Sequence, residues 1–166
     1  WGPTRVREML DAGVNVALGC DGTAGDANMD LLRDLRVACQ IVRTRHKTRT
    51  ALSPETVLEM ATLHGARALG ILDEVGSIEV GKRADLITVN TDVPHLAPIW
   101  NPVGSLVFAA QGSDVDTVVI DGRFIMRGRE VETMDEKKIV AEARRRTPQI
   151  AARANVAPTN PLWPIV

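Results

Sequence analysis

Cysteine is nearly missing from this chain: Cys20 and Cys39 are the two among 166 residues. They form neither a metal-type pair nor a disulfide framework, so both are expected to be core residues. Long apolar runs are missing too, with nothing near the roughly 18 residues of a membrane span. No charge of one sign dominates, because 20 Lys and Arg face 21 Asp and Glu, a formal net charge of −1. Neither nucleic acid nor an anionic membrane therefore has an electrostatic reason to bind. Internal repeats and low-complexity tracts are lacking, and no secretory leader is expected. These absences lead us to expect a cytoplasmic soluble protein, within the usual domain size of about 100–200 residues. Trp1-Gly2-Pro3-Thr4 runs straight into a helical pattern with no initiator methionine, so the chain is expected to begin partway through a longer parent.

What is present is punctuated clearly. Val6, Met9 and Leu10 mark one side of a first helix, which Gly13 stops. Val14 to Cys20 is short, largely apolar and bounded by Gly13 and Asp21-Gly22, the profile of a buried parallel strand. Asp30 to Arg45 reads as a helix with Leu31, Leu35, Ala38 and Val42 as its apolar stripe. A further helix should start at Ser53 as N-cap with Pro54 at N1, and run to Gly70.

From Gly76 the texture changes. Ser77 to Gly81 reads as a short extended segment, and Ala84–Val89, Val103–Ala110, Thr117–Ile120 and Arg123–Met126 read as strands. Asp121-Gly122 predicts a type I′ hairpin, which needs positive φ at both central positions. Pro94 to Pro102 is a proline-punctuated loop that Trp100 is expected to anchor. Asp135 to Arg153 predicts a charged helix with Ile139, Val140, Ala143 and Ile150 as its stripe and a bend at Pro148. The fold class is α/β: residues 1–72 resemble a piece of a barrel, 73–156 a small β-rich domain closed by a helix, and 157–166 an extended tail.

Asp21 is the most suggestive residue. In barrels of parallel strands, catalytic groups stand at the C-terminal ends of strands. A carboxylate there can hold a metal or take a proton from a metal-bound water. The alternative is that Asp21 merely caps the turn that follows, and on spacing alone the cap has the better claim. His46, His64 and His95 make no His-x-His or His-x-x-x-His pair, so no zinc constellation can be written from them. His64 is expected to pack on the inner face of its helix and His46 to sit at a solvated helix end. His95 lies in the proline loop, where it could approach a cleft.

Several motifs together resemble the amidohydrolase superfamily. They are Gly19-Cys20-Asp21-Gly22, Asn28-Met29-Asp30-Leu31, Ala61-Thr62 with Gly65-Ala66-Arg67-Ala68-Leu69-Gly70, and Val75 through Ile87 (VGSIEVGKRADLI). Asn101-Pro102 and Val119-Ile120-Asp121-Gly122 continue the match. The nearest branch holds deaminases of adenosine derivatives and guanine, with the triazine chlorohydrolases and aminohydrolases. The resemblance implies a distorted (β/α)8 barrel, of which this chain is the C-terminal part, with a small β-sandwich-type domain. It implies that Asp21, at the end of the last barrel strand, is a metal ligand and the proton shuttle of hydrolysis. It further implies a divalent metal, zinc or alternatively iron, a small heterocyclic substrate and a homo-oligomeric complete enzyme. The histidine ligands would belong to an earlier barrel segment. Lys82, Arg83 and Asp85 would form a structural turn.

The chain departs from the branch at two places. Cys20 stands where the family usually has threonine, and Thr23-Ala24-Gly25-Asp26-Ala27-Asn28 replaces a common Ala-Ser-Asn. Asp26 and Asn28 are candidates for substrate contact, the alternative being that they cap the helix that follows. Rival readings are a cyclic-amide or imidazolone hydrolase of the same superfamily, and a non-catalytic interaction or oligomerisation module that has lost the metal site.

Overall fold

Local capping chemistry sets most helix ends in this computed structural model, which describes residues 2–23 and 28–156. Helix α1 (Val6–Asp11) stops at Ala12 and Gly13, and Gly13 takes the left-handed φ of 74°. Helix α2 (Leu31–His46) starts where the Asp30 carboxylate accepts the Arg33 amide, and ends on Lys47 at φ 54°. Its buried stripe is Leu32, Leu35, Cys39 and Val42, rotated from the expected set because Leu31 and Ala38 lie at the edge of the packed face. Cys39 is fully buried, with Sγ 3.9 Å from the carbonyls of Leu52 and Ser53. Cys20 is only half-buried, so the core expectation holds for one cysteine and fails for the other.

Helix α3 (Pro54–Ala61) has the cap that the sequence predicts: the Ser53 hydroxyl accepts the Thr56 amide and Pro54 sits in the first turn. The expected continuous helix to Gly70 is broken. Thr62 leaves helical geometry at φ −124°, ψ −88°, and the chain restarts as α4 (Leu63–Ala68). The Thr62 hydroxyl donates to the Leu58 carbonyl at 2.8 Å, a back-bond that competes with helix geometry in β-branched hydroxyl residues. Gly70 then turns the chain away at φ 73°.

Residues 14–20 run without regular secondary structure and are not a strand. Val16 is buried and Leu18 and Cys20 half-buried, while Val14, Asn15, Ala17 and Gly19 are exposed. The period of two is that of a strand with one covered face. A buried parallel strand needs ladder partners on its edges and cover on both faces, and none pairs with it among the described residues.

The sheet has the order β1 (Leu86–Val89), β2 (Val115–Ile120), β3 (Arg123–Arg127) and β4 (Glu130–Val131). β1 pairs with β2 and β2 with β3, both antiparallel. Asp121 (φ 50°) and Gly122 (φ 73°) make the tight turn, with positive φ at both central positions. Ser77 to Gly81 is not a strand: Ser77 is in a bend and Val80 and Gly81 in a turn, with Ile78 and Val80 exposed. The expected strand 103–110 is a helix, α5 (Pro102–Phe108). A short apolar run does not separate helix from strand by itself; the Asn101 side chain capping the Gly104 amide at 3.0 Å, with Pro102 behind it, decides the matter. Val107 and Ala110 are thereby fully buried. Trp100 is 91% exposed and is no anchor among the described residues, whereas Leu96 of the same loop is buried.

One core cluster draws on α2, α3 and α5 together with Val16 and Leu96. By contact density the chain divides into two compact units, residues 1–130 and 131–166. The second contains α6 (Glu136–Arg153), capped by Asp135 and carrying Pro148 within it. Its expected apolar stripe is exposed: Ile139, Val140 and Ile150 lie on a helix with no buried residue. The expected tail, 157–166, lies outside the described residues. No described helix is long and apolar enough to cross a membrane.

Candidate active site

Asp21 stands where the run of residues 14–20 ends. Its side chain is exposed, and Oδ1 accepts the Gly22 amide at 2.7 Å. That bond is the turn cap one reading predicts. It occupies one oxygen lone pair and leaves a carboxylate capable of further ligation. Asp21 also lines a cleft of about 410 Å³ with Pro3, Val6, Leu18, Val37 and Ile41 among its apolar walls. Asp34, from the first turn of α2, shares that lining. The sequence did not mark Asp34, because a polar residue on a helix normally reads as a solvated face.

Asn28 is exposed and lines a different cleft, of about 500 Å³, with Asp30, Arg33, Arg36, Gln40 and Gln111. Asp26 lies outside the described residues. The cap of α2 is neither of them but Asp30, whose Oδ1 accepts the Arg33 amide and whose Oδ2 accepts the Gly112 amide at 2.9 Å. The same carboxylate thus starts the helix and ties it to a segment 82 residues on.

The three histidines are each engaged away from Asp21. Nδ1 of His64 is 3.1 Å from the Val16 carbonyl oxygen. Nε2 of His46 is buried 3.6 Å from Oε2 of Glu8, too far for a hydrogen bond, so this is no solvated helix end. Nε2 of His95 lies against Asp114. Among the described residues, no group of three or more His, Cys, Asp or Glu side chains could hold a metal. Asp21 offers oxygen of the kind zinc accepts, but one carboxylate is a quarter of a four-coordinate site. Burial pushes the Cys39 thiol up, which makes it an inert core group.

Lys82, Arg83 and Asp85 hold the approach to β1. Nζ of Lys82 donates to the Ser77 hydroxyl at 2.7 Å, Arg83 pairs with Glu74 at 2.7 Å, and Asp85 accepts the Asp121 amide at 2.6 Å. The last bond ties the start of β1 to the β2–β3 turn.

The chain matches the model of the amidohydrolase family over residues 2–125. It is 44% identical over 138 residues to a 5-methylthioadenosine/S-adenosylhomocysteine deaminase of Acetivibrio thermocellus, covering 83% of this chain and 32% of that protein. It is 43% identical over 150 residues to a 5′-deoxyadenosine deaminase of Methanosarcina acetivorans, covering 90% and 34%. Among solved structures, an adenosine deaminase from Xanthomonas campestris with bound zinc is similar with a TM-score of 0.85 and 37% identity, over 89% of this chain and 34% of that one. An atrazine chlorohydrolase from Arthrobacter aurescens complexed with zinc is similar with a TM-score of 0.80 and 30% identity, over 87% and 32%. The chain spans about a third of the length of the curated relatives it matches.

Proposed function

Because this chain belongs to the amidohydrolase family, we propose that it forms part of a metal-dependent hydrolase that deaminates a small adenine-bearing nucleoside. The observation that carries this reading is the 44% identity over 138 residues to a deaminase of adenosine derivatives, against 30% to a chlorohydrolase. In this proposal residues 1–72 contribute the last strand and flanking helices of a (β/α)8 barrel. Residues 73–156 belong to a small β-sandwich-type domain, and 157–166 form a tail. The strand-like alternation of residues 14–20, with Val16 packed among residues of α2 and α3, supports the barrel assignment, since helices cover the outer face of each strand in such a barrel.

A divalent metal, zinc or alternatively iron, would supply a water of lowered pKa. Asp21 is then one metal ligand, and the other ligands come from outside the described residues. Its carboxylate accepts the proton of the attacking water at one oxygen. It returns that proton to the departing amino nitrogen, which leaves as ammonia while the water's oxygen stays on the ring carbon. Asp26 and Asn28 are the candidates for substrate contact after Asp21; Asn28 lines a cleft other than that of Asp21. The complete enzyme is homo-oligomeric and cytoplasmic.

The test is a comparison of leaving groups. The zinc-loaded protein that contains this chain should release ammonia from 5′-deoxyadenosine or 5-methylthioadenosine and no chloride from atrazine. Chloride release without deamination, or ring opening of a cyclic amide alone, would sink the assignment.

A further inference from the structure

Aspartate is followed by glycine at two places in the chain, Asp21-Gly22 and Asp121-Gly122. Such a pair is chemically labile, because the amide nitrogen of the second residue can attack the side-chain carboxyl carbon of the first. Glycine has no Cβ to obstruct that approach. Both pairs are exposed, so access to solvent does not distinguish them. The direction of the glycine amide does. The Gly22 amide donates to Oδ1 of Asp21 itself at 2.7 Å. With a C–O bond of about 1.2 Å, the Asp21 carboxyl carbon lies within about 4 Å of that nitrogen. A near-attack geometry is roughly 3–3.5 Å, so a small rotation of the side chain brings the two atoms together. Residues 21 and 22 belong to no helix or strand that would resist it.

The second pair is held the other way. The Gly122 amide donates to the Ala84 carbonyl at 3.1 Å, and the Asp121 amide donates to Oδ1 of Asp85 at 2.6 Å. Both residues have positive φ in the turn between β2 and β3. Attack on the Asp121 carboxyl would have to break the bond to Ala84 and undo the turn.

We propose that Asp21-Gly22 is a site of spontaneous isomerisation in this chain, and that the β2–β3 turn protects Asp121-Gly122 from the same reaction. The Gly22 nitrogen bonds to the carboxyl carbon of Asp21 in its protonated form. The carboxyl hydroxyl and the amide hydrogen leave together as water, and a five-membered succinimide remains. Water then adds to either ring carbonyl. One opening restores aspartate. The other gives isoaspartate, in which the main chain runs through the former side-chain carboxyl and the free carboxylate sits on Cα. The backbone is one carbon longer there, so the carboxylate leaves the position in which the reading above has it hold a metal. The isomerisation itself does not depend on that reading.

The test ages the full chain in neutral buffer and maps it with a protease that cleaves before aspartate but not before isoaspartate. Isoaspartate should accumulate at position 21 while position 121 remains aspartate. This comparison lies within one unmodified chain and needs no variant to fold. In denaturant, where the turn is lost, both positions should isomerise. Gly22→Ala should lose the reaction at position 21; a Cβ there meets nothing within 4 Å, so it hinders the attack without straining the fold. Equal isoaspartate at both positions of the folded chain would overturn the proposal. So would its absence from position 21, or an undiminished rate in Gly22→Ala.

Discussion

Nε2 of His95 lies 2.9 Å from Oδ2 of Asp114, and that same oxygen accepts the Gln111 amide at 2.9 Å. Asp114 is 7% exposed and immediately precedes β2, while His95 belongs to the proline-rich loop. The pair fastens that loop to the start of the central strand.

Acid sensitivity should follow from this contact. Burial pushes the Asp114 carboxyl up, but hydrogen bonds from His95 and the Gln111 amide, with the charges of His95 and Arg129, outweigh it and hold the group below the usual carboxylate range. A carboxylate depressed on folding contributes stability that is complete above its unfolded pKa of about 3.9 and is lost as pH falls through the lower folded value. Asp114→Asn should therefore lower stability by about 1–3 kcal/mol at neutral pH, and the gap to the unmodified protein should narrow below about pH 4. Denaturant titrations across pH would show it. A constant gap down to pH 2 would mean that ionisation of Asp114 contributes nothing.

Turnover should depend on Asp21 far more than folding does. Asp21→Asn is nearly isosteric but cannot take the water's proton, so kcat should fall by roughly 10²–10⁴-fold. Tm should barely move, because the side chain is exposed and an amide oxygen can still accept the Gly22 amide. Near-normal activity with metal content confirmed would return Asp21 to the turn-cap role.

Zinc titrated into this chain alone should show no tight stoichiometric site by calorimetry. Among the described residues, no three potential ligands converge, and a closed zinc site takes about four. A tight one-to-one isotherm would mean that the ligand set assembles in a way the described residues do not show.

Two glycines with the same backbone angle separate conformational strain from packing. Gly76 and Gly81 both have φ 96°. A Cβ on Gly76 would lie 2.8 Å from the Ala66 Cβ and 3.3 Å from the Thr62 carbonyl, whereas a Cβ on Gly81 meets nothing within 4 Å. Gly81→Ala should cost about 1–2 kcal/mol from the left-handed conformation alone. Gly76→Ala should cost a further 1–3 kcal/mol or so for the clash. Equal costs in urea denaturation would show that the α4 turn yields freely.

Much of the fold could be read from short stretches. Ser53-Pro54, Asp135 and Asp121-Gly122 each announced their element because a cap or a tight turn is decided by atoms within about four residues. Asn101-Pro102 carried the same kind of signal for α5, and the largely apolar run Val103 to Ala110 drew the reading to a strand instead. The failure at Thr62 is different in kind. Nothing in Ala61-Thr62-Leu63 forbids a helix; the break coexists with bonds from Asn15 and Leu18, 49 and 42 positions away from their partners His64 and Met60.

By itself, then, the sequence determined the starts of α2, α3 and α6 and the stop of α1 at Gly13, that Asp21 closes a run of strand-like periodicity, and that the histidines make no metal motif. Those features depend on neighbours along the chain, whose geometry bond lengths and φ/ψ limits set directly. Only the tertiary structure decided that α2 buries Cys39 in place of Ala38 and that Asp30 serves both its own helix and Gly112. It alone brought Asp34 to the cleft of Asp21, joined His95 to Asp114 across 19 positions, and closed His64 on Val16 across 48. The physical reason is that a side chain's partner across the core is chosen by competition among all surfaces that could cover it. That competition is settled by packing and hydrogen-bond satisfaction in three dimensions, and no window of sequence contains its terms.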